Sequence, residues 1–524
     1  MTAKEGDSVE EKEIELKLKL ADVNAFDDVL EDPLFCGGAE VPSAAEYETT
    51  YYDTAGHSLR EQGLSYRIRK EGTRYTATVK DWGSHEGGLH IRHEWNRDIG
   101  GPLPDIEPFS DLPIGAVLEE IGGVASLMPI FSTVFTRTAV LIETADGSAI
   151  ELAADRGYIV SGDRREKICE IEVELKSGFV ATLLRLGADL AERYPLVLEK
   201  KSKYLRALLL SGLAEEEEEE KGPELKGDWE KKNPLQREVP KILLFGLTEV
   251  MRAHEQYLKL PKEADSVHGL RVKIRQLRSL LSFFEPLLES EQYGAMQEKL
   301  KAVASRFSYR REIDVLIGEW QTLVDSQPEL LSTAAALSKA LRNEQDSENN
   351  RLIPLFSRGY GTTFLLAVWA ELSSLSWREE TAEHSETTLG KYSTARFEKW
   401  LKKAAKAGEA VNFSDHQSVH GFRIQGKKLR YVLTCLGGVL KKEHQKMFAP
   451  IKKMQSDLGQ ICDIWRHLAI LPDVTTKYSS RSLLYEGGIM IGFQLCRAVQ
   501  LTSSNNRHGQ LQFLLPLPEK DLPQ

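Results

Sequence analysis

The stretch Glu13-Ile14-Glu15-Leu16-Lys17-Leu18-Lys19-Leu20 alternates charged and apolar residues without a break. That is the period of a β-strand with one buried face. Alternate strand residues share a face, so Glu13, Glu15, Lys17 and Lys19 project together. Two acids followed by two bases suit a site that holds cations and anions at once. Carboxylates take a hard metal ion, and ammonium groups take a polyanion. Read alone, the stretch is equally a solvent-facing strand laced by cross-strand ion pairs.

The 524 residues allow two to four domains, and 41% hydrophobic with 28% charged residues is ordinary for a soluble globular chain. The five cysteines are scattered and form no C-x-x-C pair. They predict a reducing, cytoplasmic setting without disulfides or a zinc site. The polar N-terminus is unlike a signal peptide, and no apolar run is long enough to span a membrane. The net charge of −11 hides an asymmetry: residues 235–524 carry 40 Lys+Arg against 32 Asp+Glu, residues 1–234 only 28 against 47. An acidic half joined to a basic half suggests two different tasks.

Strand-like runs rich in Tyr, Thr, Ile and Val follow the opening stretch, after a short helix near 22–31. They lie near 46–53, 64–70, 73–80, 89–98, 134–143, 148–155 and 168–175. The gaps are too short for parallel crossovers, so the eight strands predict an antiparallel sheet that can close into a barrel. Each strand has one apolar and one polar face. Arg67 and Arg69 share a face, as do Thr76, Thr78 and Lys80. So do His90, Arg92 and Glu94; Glu151 and Asp155; and Glu170, Glu172 and Glu174. Three glutamates on one face repel one another unless cations are near, and a metal ion supplies them. Arg67, Arg69, Lys80 and Arg92 would then cradle an anion bridged by the metal. These densities favour a barrel with a charged interior.

Taken together, these motifs resemble the CYTH domains, the triphosphate tunnel metalloenzymes. Glu13-x-Glu15-x-Lys17 resembles the signature that opens them, and five more segments follow in the family's order: Tyr51-Tyr52-Asp53-Thr54, Leu64–Arg69, Thr78-Val79-Lys80, Glu170–Glu174 and Lys201-Ser202-Lys203-Tyr204. The resemblance covers nearly all of residues 10–210. It implies a closed eight-stranded antiparallel tunnel that binds triphosphate compounds with divalent metal. Carried over, Lys17, Arg67, Arg69, Lys80, Arg137 and Lys203 would grip phosphates, with Lys203 preferred over Lys201 for the last lysine. Arg92 would assist in substrate binding, with Glu94 and Glu174 secondary. Glu13, Glu15, Asp155, Glu170 and Glu172 would hold one or two Mg²⁺ or Mn²⁺ ions. The implied chemistry is metal-assisted hydrolysis of a phosphoanhydride. No G-x-x-x-x-G-K-[ST] loop is present, so this is not a P-loop enzyme.

Six glutamates, Glu215–Glu220, then Lys-Gly-Pro, read as a solvated acidic linker over 213–234; a mimic of polyphosphate is the functional alternative. This divides the chain into a tunnel domain at 1–212, the linker, a helical domain at 235–516 and a tail at 517–524. Beyond the linker, apolar residues recur at three- and four-residue spacings, predicting an all-helical region. It contains a repeat at an offset of 152, giving halves near 235–375 and 390–516: His268, Arg271, Arg275 and Arg278 match His420, Arg423, Lys427 and Arg430. Spacings of three, seven and ten keep each set on one helical face. Each stripe reads as a solvated basic face or an anion site; the histidines as metal ligands lack a second ligand at a typical spacing. The apolar run Phe513–Leu515 is expected to dock on the helical domain.

The twice-repeated H-x-x-R-x-x-x-[RK]-x-x-R pattern resembles the CHAD domain, a helical module associated with inorganic polyphosphate. The two-domain layout resembles bacterial inorganic triphosphatases, implying hydrolysis of tripolyphosphate to phosphate and pyrophosphate, with polyphosphate bound by the helical region. A non-catalytic polyphosphate binder and a hydrolase or cyclase of an organic triphosphate (thiamine triphosphate, ATP) are the rivals. Nucleic acid fits less well, because the stripes lack interleaved aromatics for stacking.

Overall fold

The computed structural model describes residues 11–36, 42–121, 126–215, 227–331, 334–378 and 387–507. Most of the acidic run and the apolar run at 513–515 lie outside the described residues. The chain forms two compact units. The first takes residues up to Gly222 together with Phe356–Ser373, and the second takes the rest.

The first unit is built on one sheet of ten strands: β1 (Glu11–Leu20), β2 (Ser43–Asp53), β3 (Leu64–Glu71), β4 (Arg74–Asp81), β5 (Ser84–Glu86), β6 (Leu89–Ile99), β7 (Met128–Glu143), β8 (Ala149–Ser161), β9 (Arg164–Ser177) and β10 (Leu196–Leu198). They pair in the order β10-β1-β9-β8-β7-β2-β3-β4-β6-β5, and β1 also pairs with β6. That last pairing closes β1, β9, β8, β7, β2, β3, β4 and β6 into an eight-stranded antiparallel barrel. These are the eight strands read from the sequence. β5 and β10 have three residues each, too few for alternation to register.

β1 shows how both faces of a strand become dry. Leu16 and Leu18 are fully buried, and so are Glu15 and Lys17 on the opposite face. The charged face lines the barrel interior, while Lys19 lies exposed beyond it. The apolar face is roofed by helices outside. The first unit's helices are α1 (Phe26–Leu30), α2 (Pro33–Cys36), α3 (Ser58–Glu61), α4 (Pro113–Glu120), α5 (Val180–Arg193) and α6 (Lys203–Ser211). α5 packs on β1 and β9, and the missing side chain of Gly187 leaves room for Leu16. Phe109 and α4 residues Ile114 and Leu118 cover Leu64, Tyr66, Ile68, Ala77 and Val79. α6 packs at one end of the barrel, where Ala207 and Leu208 meet Phe131, Phe135, Ile159 and Ile168.

The second unit is helical: α7 (Leu235–Lys259), α8 (Ala264–Phe284), α9 (Ser290–Arg306), α10 (Ser308–Ser326), α11 (Pro328–Leu331) and α12 (Ala336–Ser357), then α14 (Leu389–Glu409), α15 (His416–Leu436), α16 (Lys442–Gln445), α17 (Phe448–Lys477) and α18 (Arg481–Arg507). α13 (Tyr360–Ser373) belongs to the first unit instead, packed along α5. The sequence reading had placed this segment inside the helical domain. Its composition explains why the sequence could not separate it: Phe364, Leu365, Leu366, Val368, Trp369 and Leu372 are all buried, and periodicity does not say against what. Among the described residues no helix is long and apolar enough to cross a membrane, and all five cysteines are free thiols.

Barrel closure brings backbone against backbone at Gly157 on β8, opposite Phe135 on β7. A Cβ there would lie 2.2 Å from the Val134 carbonyl oxygen and 2.4 Å from Phe135 Cα. Backbone cannot swing aside as a side chain can. Gly157→Val should therefore cost about 3 kcal/mol, the upper end for overpacking, read as a lower midpoint in urea with an unchanged slope.

Candidate functional site

The barrel encloses a cavity of about 850 Å³. Its wall is built mostly from inward-facing charged and hydroxyl residues of the eight barrel strands and the start of α6. Of the expected site residues, Glu13, Glu15, Lys17, Arg67, Arg69, Lys80, Arg92, Arg137, Glu172 and Lys203 all line it. Asp155 and Glu170 lie just behind, both fully buried.

Charges taken out of water must be paired, and here most are. Lys80 donates to both oxygens of Glu13 at 2.8 and 2.9 Å and pairs with Glu94 at 2.7 Å. Arg92 bridges Glu13, at 2.8 Å, and Glu15. Lys17 pairs with Glu15 at 3.0 Å and with Glu172. Arg137 grips Asp155 with two parallel bonds of 2.8 and 2.7 Å and also reaches Glu172. Lys203 meets Asp155 at 2.7 Å, Glu170 at 2.5 Å and Glu172 at 2.8 Å. Burial works to raise the Glu13 pKa, but Lys80 and Arg92 hold it well below the usual range. Burial is likewise overcome at Glu172 by Lys17, Lys203 and Arg137.

Two cations are left over. Arg67 has a single carboxylate contact, Glu94 at 3.4 Å. Arg69 has none among the described residues; its guanidinium lies 4.5 Å from the Tyr47 ring centroid. Burial, Arg67 and Arg137 together push Arg69 down to about 10. Among the described residues the tunnel therefore contains one arginine, Arg69, with no carboxylate partner, beside Arg67, which has one distant carboxylate contact; such a pair suits an anion.

The acids divide into two groups. Asp155, Glu170 and Glu172 present carboxylate oxygens within 4.8 Å of one another. This is the one group of three or more potential ligands that close among the described residues. An all-oxygen, carboxylate donor set fits a hard divalent ion such as Mg²⁺ or Mn²⁺. Glu13 and Glu15, expected beside them, lie outside this group and are engaged by Lys80, Arg92 and Lys17.

Two residues escaped the sequence reading. Arg206, one turn after Lys203 on α6, binds Glu170 at 2.6 Å and Glu166 at 2.7 Å and holds the acidic group from behind. Tyr51 lines the cavity on the same face of β2 as Tyr47. Burial raises its phenol, but Arg67, Arg69 and Lys80 draw it below its ordinary value. Its position in alternation with Tyr47 and Thr49 was the available signal, but aromatic residues at that period usually mean core.

In the second unit, α8 packs on α15 and the two basic stripes converge. Lys427 lies among Arg423, Arg275 and Arg466, and burial with these three charges pushes it down to about 6. Burial, Arg311 and Arg275 push His268 down to about 4. Burial is followed by Arg466, Arg423 and Lys427 at His420. Arg271 is turned toward Ser308 at 3.1 Å, and burial with Arg275 lowers it to about 10. Asp463, 3.4 Å from Arg423, Glu312, paired with Arg466, and Asp265, which acts on His268 and Arg311, offset part of this charge. Buried nitrogens of Arg271, Arg275 and Arg423 lack hydrogen-bond acceptors. Arg278 instead bonds Gln297 at 3.0 Å, and Arg430 lies 5.0 Å from the ring of Tyr431. Arg466 on α17 was not visible in the sequence, because nothing in its spacing ties it to either stripe. Arg310, next to Arg311, is wholly buried and structural, bonded to Asn349 at 2.9 Å and paired with Asp314.

Comparison with known proteins agrees with both halves. The CYTH domain family matches residues 11–208, and the CHAD domain family matches residues 243–471. An inorganic triphosphatase of Haemophilus influenzae is 37% identical over 168 residues, 31% of this chain and 45% of that protein. The chain thus spans less than half the length of this curated relative. A crystal structure of the CHAD domain from the plant Ricinus communis aligns at 18% identity and a TM-score of 0.44, covering 56% of this chain and 96% of that one. A crystal structure of an inorganic triphosphatase aligns at 18% identity and a TM-score of 0.16, covering 38% and 95%. Residues 11–208 of the chain are a CYTH domain, and residues 243–471 are a CHAD domain.

Proposed function

We propose that the N-terminal tunnel is a metal-dependent hydrolase of inorganic triphosphate, releasing phosphate and pyrophosphate, and that the helical unit binds inorganic polyphosphate. The observation that carries the reading is Arg69, without a carboxylate partner among the described residues, beside the weakly paired Arg67 inside a charge-lined cavity. The triphosphatase relative supports it. Arg67, Arg69 and Lys80 would hold phosphoryl oxygens, with the Tyr51 hydroxyl donating among them. Lys17, Arg92, Arg137 and Lys203 would neutralise charge that builds on the leaving pyrophosphate. Each is held by a carboxylate in the free protein, and those that exchange it for phosphate oxygens would do so on binding, before the reaction. Asp155, Glu170 and Glu172 would hold Mg²⁺ or Mn²⁺, with Glu13 and Glu15 able to turn toward it once their cations turn to phosphate. When bound, the metal supplies charge neutralisation and lowers the pKa of water. Water is the nucleophile, and the P–O bond to pyrophosphate breaks as it adds. A cytosolic location belongs to the same reading, in keeping with the free thiols.

Phosphate release from tripolyphosphate with Mg²⁺ or Mn²⁺, beside ATP and thiamine triphosphate, tests the proposal. Tripolyphosphate should be the preferred substrate. EDTA should abolish turnover, and Asp155→Asn with Glu172→Gln should lower kcat at least about 100-fold, as loss of charge stabilisation in a buried site does. Absence of metal-dependent turnover on all three would leave a binding protein.

Tyr51→Phe keeps the ring against Phe131 and Tyr204 and removes only the hydroxyl. It should raise the KM for tripolyphosphate about 3- to 10-fold, the worth of one hydrogen bond to a charged group, while Tm moves little.

For the helical unit, a lysine depressed to about 6 is neutral at pH 7. A bound polyanion would restore its charge, so binding takes up a proton and tightens as pH falls from 8 to 6. Calorimetry with long-chain polyphosphate in buffers of different ionisation enthalpy should show this uptake, and Lys427→Met should remove it.

A further inference from the structure

Lys427 and Lys428 are neighbours on α15 but enter different surroundings. Lys427 faces the cluster described above. Lys428 turns to α14, where its ammonium lies 5.5 Å from the ring centroid of Trp400. Arg396, also on α14, lies 5.7 Å from the same ring. Arg396 is anchored by the end of α8, donating to the carbonyls of Phe283 at 3.2 Å and Ser282 at 3.4 Å. Phe283 meets the Trp400 ring edge-on at 5.2 Å, so the indole is a fixed post. Lys403 on α14 and Arg278 on α8 complete the group. Burial, then Lys403, Arg278 and Arg396, depress the pKa of Lys428. The acid that acts on it, Glu285, is already shared by Arg378 at 3.0 Å and Arg396 at 3.7 Å. Among the described residues neither Lys403 nor Lys428 pairs with a carboxylate.

We propose that Trp400, Arg396, Lys403, Lys428 and Arg278 form a second anion site, which takes the continuing chain of a long linear polyphosphate whose other part occupies the Arg275–Arg423–Lys427 cluster. The two clusters are contiguous by construction. Lys427 and Lys428 are adjacent, and Arg275 and Arg278 are one turn apart on α8, about 5 Å along its axis. A polyanion lying along the α8–α15 seam passes from one group to the next. The proposal rests on the polyphosphate reading of the helical unit and extends it to ligand length: within that unit tripolyphosphate, which the tunnel also takes, would fill one cluster, a long chain both. The aromatic ring does not make this a nucleic-acid site. Its π-system already serves Arg396 and Lys428 as a cation–π platform, whereas recognition of single strands uses rings offered to bases.

The test compares full-length protein with the Lys403→Gln, Lys428→Gln double variant and with Arg275→Gln, Arg423→Gln. Binding of long-chain polyphosphate, tripolyphosphate and single-stranded RNA is measured by calorimetry across a salt series, with thermal melting as the control for folding. Loss of two phosphate contacts should weaken long-chain binding about tenfold and shrink the slope of log K against log salt by about 1.4. Tripolyphosphate binding should change less than twofold, and Lys403→Arg, Lys428→Arg should restore the long-chain affinity. Unaltered long-chain affinity and salt slope in the lysine variant, with loss in the arginine variant, would overturn the second site and leave the first. RNA bound more tightly than polyphosphate, through the same lysines, would overturn the ligand. A wild-type protein that binds no polyphosphate would overturn the underlying reading as well.

Discussion

A charge inside a protein costs several kcal/mol unless another charge answers it. The tunnel domain is organised by that constraint. Its cavity is lined by carboxylates, ammonium groups and guanidinium groups in almost mutual balance, and the balance holds each one in place. Lys203 is tied to three acids, Arg137 to two, and Arg92 to two more. The barrel gives every strand an inner face to load with charge and an outer face to seal with helices. Without those roofs over Leu16, Tyr66 and Val79, the apolar faces would turn inward and the charges out, and there would be no site.

The helical unit applies the same electrostatics with the balance removed. Among the described residues, Arg271, Arg275, Arg311, Arg423, Lys427 and Arg466 outnumber the carboxylates that act on them, Asp463, Glu312 and Asp265. Burial and the mutual repulsion of these charges lower the pKa of Lys427, and buried nitrogens of Arg271, Arg275 and Arg423 lack acceptors. The stability missing there is what an anion restores. On the proposed function, the two units would hold polyanions in different ways. The tunnel spends its positive charge on internal acids that a substrate can displace, and the helical cluster keeps its charge unspent.

Alternation in β1, β3 and β9 was enough to read the strands; the short gaps between strands gave the antiparallel sense, and the density of charge on single faces turned those faces inward. The stripes on α8 and α15 were readable for a related reason, since spacings of three, seven and ten define one helical face. What the sequence did not carry was partnership across elements. It could not show that Glu13 and Glu15 answer Lys80 and Arg92 rather than sit with Asp155, Glu170 and Glu172. Nor could it bring Arg466 to Arg423, set Arg206 behind Glu170, or give Trp400 two cations. Each depends on which elements become neighbours, and local pattern is silent on that. Tyr51 was hidden differently: an aromatic in a strand is ordinarily core, and only the cations around it say otherwise.

α13 has a consequence for how such proteins are assembled and taken apart. In chain order the tunnel domain ends near the acidic run, and a sequence alignment would cut it there. In space it does not end until Ser373, because α13 supplies the apolar cover along α5, with Leu366 next to Gly187. A gene fragment stopping at the linker would encode the whole charged wall and still leave a wet hydrophobic flank. The module that recombination can move intact is therefore larger than the motif-bearing segment, and its last piece is written inside the coding region of its neighbour.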